Sequence, residues 1–178
     1  MASLLLTVAG CTEHGAQKAP PVAVGAAESS AGPGREFRPA PGLELKDIQG
    51  KSHRLEDFRG QPVILHFWAS WCPPCIEELP QFNEMVKSLK GKPIRFLIVS
   101  LDKSWADAEK IAPQKELSEG VVSVIDTEGT IPEKFGSYQF PETYLLNSNL
   151  QIVEKWVGAQ DWNGAKTRSA IDHILDGK

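Results

Sequence analysis

From Leu43 onward, apolar and polar positions follow the periods of strands and helices; before that point they follow no period. Leu43-Glu44-Leu45-Lys46 alternates, Asp47-Ile48-Gln49-Gly50 supplies turn residues, and Lys51 to Leu55 returns, which predicts an opening hairpin. Pro62-Val63-Ile64-Leu65-His66-Phe67-Trp68 is a near-continuous apolar run, as expected of a central strand buried on both faces. Pro73 to about Lys90 has helical character, with Gly91 to end it. Ile94 to Ser100 is a second buried strand, and Ser104 is placed to cap a helix running to about Leu117. Val121 to Ile125 predicts a short strand and Gly129 to Phe135 a helical turn. Thr143 to Leu146 and Gln151 to Val157 form a strand pair around Asn147-Ser148-Asn149, and Trp162 to Leu175 closes the chain as a helix. Strands that alternate with helices and end in a hairpin imply an α/β fold. Its central mixed β-sheet has helices on both faces and an N-terminal β-hairpin extension.

Residues from Thr12 to about Pro41 are rich in Ala, Gly, Pro and Ser. Such a stretch buries too little apolar surface to offset its ordering entropy, so a flexible linker is expected. Ahead of it, Leu4 to Gly10 is a short apolar run ending in small residues directly before Cys11, the layout of a signal-peptide core and cleavage site. Val8-Ala9-Gly10-Cys11 resembles a bacterial lipobox, whose cysteine becomes the lipid-bearing first residue of the mature protein. No Lys or Arg precedes Leu4, so either the start lies upstream or the run is a tail with an incidental cysteine. The expected organisation is a signal segment over residues 1–10, a tether over 11–40 and a folded domain over 41–178.

Composition narrows the function. A net charge of −4, spread along the chain without a Lys/Arg-rich run, argues against nucleic acid and against a polybasic membrane patch. With 178 residues the chain has length for one domain and a tail, enough to bury a core without disulfide staples. The three cysteines divide into Cys11 alone and the pair Cys72/Cys75.

That pair follows a buried strand and opens a helix, the setting of a redox site. At the helix N-terminus the unsatisfied N–H groups and the macrodipole favour a thiolate at Cys72, the attacking species. Cys75 lies one turn further in, where it can resolve a mixed disulfide. Pro73 and Pro74 fall in the first turn, where a missing N–H is harmless. A structural disulfide or half a zinc site are the other readings of the spacing. Zinc wants about four ligands and no second Cys/His cluster is present, while a disulfide closing so small a loop staples little. No metal or other cofactor is expected beyond the Cys72–Cys75 disulfide.

Val63 through Pro80, with Trp71-Cys72-Pro73-Pro74-Cys75 at its centre, resembles the TlpA/ResA/DsbE (CcmG-like) branch of the thioredoxin-like proteins. Leu55 to Pro62 is similar to that family's approach to the central strand, and Phe140-Pro141-Glu142-Thr143 to its cis-proline segment. The resemblance implies a thioredoxin-like fold and a thiol:disulfide oxidoreductase that acts as a reductant outside the cytoplasm. It implies that Pro141 is cis beside the disulfide, with Phe140 pairing a client chain by strand addition. It also implies disulfide-bearing client proteins, such as apocytochrome c or copper-site proteins, and a membrane electron donor of the DsbD/CcdA kind.

Two carboxylates join the candidate site. Glu78 lies three residues past Cys75 on the same helix face, and Glu142 follows Pro141. Acids near the cysteines raise thiol pKa values and can shuttle protons; solvated surface positions are the alternative for each. His66 is a departure from the resemblance, since thioredoxins carry a buried Asp at this position and the TlpA branch often carries Asn; it is either a proton relay to Cys75 or a hydrogen-bonded core histidine. His14, His53 and His173 read as solvated, and Trp105, Trp156 and Trp162 as packing residues. The rival functions are a general disulfide oxidant or isomerase and, from a different class, a Cu(I)-binding chaperone.

Overall fold

The computed structural model describes residues 37–112 and 120–177. The expected signal segment, Cys11, nearly all of the tether and the stretch around Leu117 lie outside the described residues.

The opening hairpin pairs β1 (Glu44–Lys46) with β2 (Ser52–Arg54). Its turn is held by Asp47, whose Oδ1 accepts from the backbone N–H of Gln49 at 3.0 Å and of Lys51 at 2.9 Å. A tight helical turn, Leu55–Phe58, leads to β3 (Val63–Trp68). There follow α1 (Pro73–Ser88), β4 (Arg95–Ser100), α2 (Trp105–Ile111), β5 (Val121–Ile125), α3 (Thr130–Phe135), β6 (Glu142–Leu146), β7 (Ile152–Val157) and α4 (Ala165–Leu175).

The main sheet has the order β5-β4-β3-β6-β7. β3, β4 and β5 run parallel, while β6 and β7 are antiparallel additions. The parallel part is mostly apolar because it is covered on both sides, and every residue of β3 is buried, His66 included. Register then sorts the side chains. Ile98, His66, Thr143 and Trp156 stand opposite one another across four strands and therefore share one face. That face carries α1, whose Phe82 ring lies 4.3 Å from the His66 ring. Phe67, Glu142 and Tyr144 point the other way, where Phe135 of α3 packs 5.7 Å from Phe67 and 4.9 Å from Tyr144. The mixed sheet with helices on both faces is the expected α/β fold.

Three boundaries and one side chain differ from the sequence reading. α1 ends at Ser88, short of Lys90, and Gly91 takes a positive φ of 80° two residues after the Leu89 cap. α4 starts at Ala165 because Trp162 is spent filling the core, completely buried against Phe82 and Trp156. α2 closes at Ala112, the residue before Pro113, where a proline disfavours helical backbone. His53 is not simply solvated: its Nε2 sits 2.7 Å from Asp47 Oδ2, and its ring stacks on Phe58. That bond holds the Asp47 carboxyl below its ordinary range.

Candidate active site

β3 leaves the sheet at Trp68 and the antiparallel β6 enters it at Glu142, so the cysteine loop and Pro141 emerge at the same sheet edge. Cys72 is the N-cap residue of α1, with extended backbone and Pro73 and Pro74 behind it. Its N–H donates to Ala69 O at 3.2 Å and its carbonyl accepts from Ile76 N–H at 3.1 Å. Cys72 and Cys75 are joined as a disulfide with Cα atoms 5.3 Å apart. Cys72 keeps 5% of its surface exposed and Cys75 none, while Trp71 beside them is 61% exposed. The asymmetry gives an incoming chain access to one sulfur only.

The Phe140–Pro141 peptide bond is cis. The carbonyl of Pro141 accepts from Gly158 N–H at 2.8 Å, which ties this segment to the end of β7. Trp71, Ile76, Tyr138 and Val157 are exposed apolar side chains that adjoin the disulfide or the Pro141 segment in sequence or register.

The carboxylates are buried, so the solvated readings of Glu78 and Glu142 do not hold. Glu78 Oε2 accepts from the backbone N–H of Gln160 at 2.8 Å and from Trp162 Nε1–H at 3.1 Å. Its Oε1 has no hydrogen-bond partner among the described residues and stands 3.7 Å from His66 Nε2. Burial raises the Glu78 carboxyl to about 7 against the two bonds that favour its charge. A buried acid that titrates near neutrality, one helical turn past Cys75, has the proton affinity that thiol–disulfide exchange requires of a base.

His66 is completely buried, and burial pushes its ring down to about 3, so it is neutral. Its Nδ1 lies 2.8 Å from Thr143 Oγ1 and its Nε2 faces Glu78, not a cysteine. Glu142 is on the other sheet face, away from Glu78. There its Oε1 accepts from Ser137 Oγ at 2.6 Å and from the Tyr144 hydroxyl, and pairs with Lys155 Nζ at 2.7 Å. Burial, then the Glu142 charge-bearing bond, pushes the Tyr144 hydroxyl up. The two acids grouped by sequence are therefore separated by the sheet.

Asp102 escaped the sequence reading. It follows β4, is 1% exposed, and accepts from Ser70 N–H at 3.1 Å, Ser70 Oγ at 2.6 Å and Ser100 Oγ at 2.7 Å. It thereby anchors the loop between β3 and Cys72. Its only sequence signal is a short Asp just beyond a strand, a position that often faces a site.

Among known families, AhpC/TSA matches residues 38–155, about two thirds of the chain. The chain belongs to that family. It is 33% identical over 137 residues to the thiol-disulfide oxidoreductase ResA of Geobacillus kaustophilus, covering 77% of this chain and 74% of that one. ResA of Geobacillus thermodenitrificans is 34% identical over 113 residues, 64% of each chain. Among solved structures, a thiol:disulfide interchange protein DsbE from Chlorobium tepidum superposes with a TM-score of 0.69 at 28% identity, covering 79% of this chain and 98% of that one. The pneumococcal exposed lipoprotein thioredoxin of Streptococcus pneumoniae gives a TM-score of 0.58 at 26% identity, over 78% of this chain and 100% of that one. With these relatives and the Cys72–Cys75 pair, the chain is a thiol-disulfide oxidoreductase of the ResA/DsbE kind with a thioredoxin-like fold. Such enzymes act on disulfide-bearing client proteins.

Proposed function

We propose that this AhpC/TSA-family enzyme works outside the cytoplasm, tethered to a membrane, as a reductant of selected partner disulfides. The observation that carries the exchange chemistry is Glu78, a buried carboxyl on the helix face of Cys75 whose proton affinity is raised to about 7, and the reducing direction follows the resemblance to the ResA/DsbE kind. In the reduced protein the Cys72 thiolate attacks a client disulfide, forming a Cys72–client S–S bond and expelling one client thiolate. Glu78 takes the Cys75 thiol proton, and the Cys75 thiolate then attacks Cys72 Sγ. The mixed disulfide breaks, the second client thiolate leaves, and the Cys72–Cys75 disulfide remains, two electrons having passed to the client. Trp71, Pro73 and Pro74 shape the approach to Cys72, and Phe140-Pro141-Glu142 offers backbone for strand addition by the client.

Apocytochrome c haem-attachment cysteines or copper-site cysteines are the proposed clients, and a membrane donor of the DsbD/CcdA kind re-reduces the enzyme. Residues 1–10 serve as a signal segment and 11–40 as the tether, with Cys11 as the lipid attachment point. The domain itself begins near residue 41. No helix among the described residues is long and apolar enough to cross a membrane.

A Cys75→Ser variant tests the reading, since it should accumulate mixed disulfides through Cys72 whose captured proteins name the pathway. If the variant traps nothing and the wild-type potential lies near the oxidising end, the reductant assignment fails and a general oxidant takes its place. Labelling with a radioactive fatty acid, lost on Cys11→Ser, tests the tether separately.

A further inference from the structure

Two polar atoms face each other in the core without partners. His66 Nε2 and Glu78 Oε1 are 3.7 Å apart, on side chains with 0% and 2% exposure, and neither has another hydrogen bond among the described residues. An orphaned buried polar atom costs about 1–3 kcal/mol, so two orphans within reach of each other constitute a pair. Closing the gap to hydrogen-bond distance needs a movement of about half an ångström, since good N···O contacts reach about 3.2 Å.

The remaining bonds dictate where the protons sit. Glu78 Oε2 already accepts from two N–H donors, so an acid proton belongs on Oε1. The Thr143 hydroxyl can accept from Nδ1–H at 2.8 Å, which leaves Nε2 with its lone pair towards Glu78. We propose that His66 is a positioning residue: its Nε2 accepts a hydrogen bond from the protonated Oε1 of Glu78, and Thr143 sets the ring's tautomer by accepting from Nδ1–H. His66 thus acts on the cysteines only through Glu78.

Groups facing the pair from the neighbouring elements bring no further charge to it, and the Gln160 and Trp162 donors act on Oε2 alone. α1 contributes Cys75, which is in the disulfide, and Phe82; β4 contributes Ile98; β6 contributes Thr143. β7 and the segment after it contribute Trp156, Gln160 and Trp162, none of which titrates. The Glu142–Lys155 pair lies on the opposite face. The unprotonated Nε2 stabilises the acid form of Glu78 and opposes its anion, so His66 adds to the effect of burial.

The proposal rests on Glu78 being the base of the proposed function, but its test needs neither a client nor a redox direction. In the oxidised wild-type protein, nitrogen NMR of histidine is followed with carboxyl carbon NMR of glutamate across the Glu78 titration. Below the Glu78 midpoint, His66 should show a protonated Nδ1 and an unprotonated Nε2. His66→Phe, which keeps an aromatic ring of similar size, should lower the Glu78 midpoint, and Thr143→Val should lower it as well by freeing the ring to carry its proton on Nε2. A protonated Nε2 below the midpoint, or a midpoint that both variants leave in place, overturns the proposal. A ring that only packs would not move the midpoint, and the wild-type spectrum decides even if His66→Phe does not fold.

Discussion

Glu78→Gln should make the protein more stable at alkaline pH while leaving it little changed in acid. The glutamine oxygen can take the bonds from Gln160 and Trp162, and its amide nitrogen can turn an N–H towards His66 Nε2, so the variant has the shape of the acid form and cannot ionise. In the wild type the folded carboxyl titrates at about 7 against an ordinary 4.5, a difference of about 2.5. Each step of one in pKa corresponds to about 1.4 kcal/mol, which places about 3 kcal/mol on this one proton. Below pH 4.5 the folded and unfolded chains both hold it and nothing is lost. Between 4.5 and 7 the unfolded chain releases the proton that the folded chain retains, so stability falls as pH rises. Above 7 both are ionised and the loss levels off at its full size.

Urea unfolding of the oxidised proteins, followed by tryptophan fluorescence, measures this directly. Taking the difference between variant and wild type cancels the other titrating groups. That difference should favour Glu78→Gln by about 3 kcal/mol more at pH 8 than near pH 4.5, a large part of a typical total stability of about 5–15 kcal/mol. A difference that is flat in pH, or one in which the wild type gains on the variant as pH rises, would refute the burial argument. The same variant should slow the resolving step, because it leaves no carboxylate to take the Cys75 proton.

Trp162→Phe removes the Nε1–H donor 3.1 Å from Glu78, a bond that favours the anion, so the Glu78 midpoint read by carboxyl NMR should rise by about one pH unit. Asp102→Ala strips the acceptor from Ser70 N–H and from the Ser70 and Ser100 hydroxyls. Urea unfolding should show a loss of about 2 kcal/mol, and amide exchange at Ser70 to Cys72 should accelerate. Lys155→Met leaves Glu142 with hydroxyl donors only; because Lys155 is 38% exposed, the expected cost is about 1–2 kcal/mol in urea unfolding at pH 7, and no change would mean the hydroxyls suffice.

The strands were legible because burial on both faces leaves a composition signature: Val63 to Trp68 is broken only by His66, and Phe96 to Val99 is wholly apolar, both short runs as a central sheet requires. The redox pair was legible because strand, cysteine and helix are consecutive in the chain. Trp162 was harder. As an apolar residue ahead of a helical pattern it looks like part of α4, yet it belongs to the cluster with Phe82 and Trp156. Helical period placed Glu78 on the face of Cys75 but could not reveal what covers it. The two donors to its carboxyl lie 82 and 84 residues away, and their arrival depends on where the chain goes after β7. The separation of Glu142 from Glu78 follows from register, since a single-residue step along β6 moves a side chain from one face to the other.

Around the redox loop, three buried carboxyls have been solved in three ways. Asp102 has a hydrogen bond on each oxygen, from a backbone amide and two hydroxyls, and fixes the loop. Glu142 has hydroxyl donors and an ammonium, and ties the Pro141 segment to β7. Glu78 has two donors on one oxygen and an open second oxygen towards a neutral histidine. Of the three, only Glu78 leaves a buried oxygen with no hydrogen bond among the described residues, a place for a proton to come and go without breaking its other bonds. A carboxyl donated on both oxygens, or paired with an ammonium as Glu142 is, is a structural part, whereas one with a dry, unpartnered oxygen beside a neutral ring sits near the balance between acid and anion. The dry, unpartnered oxygen of Glu78 is therefore the feature that separates the proposed base from the scaffold. It also predicts that supplying a donor to Oε1, for instance with His66→Lys, would favour the anion and lower the pH at which Cys75 can be deprotonated.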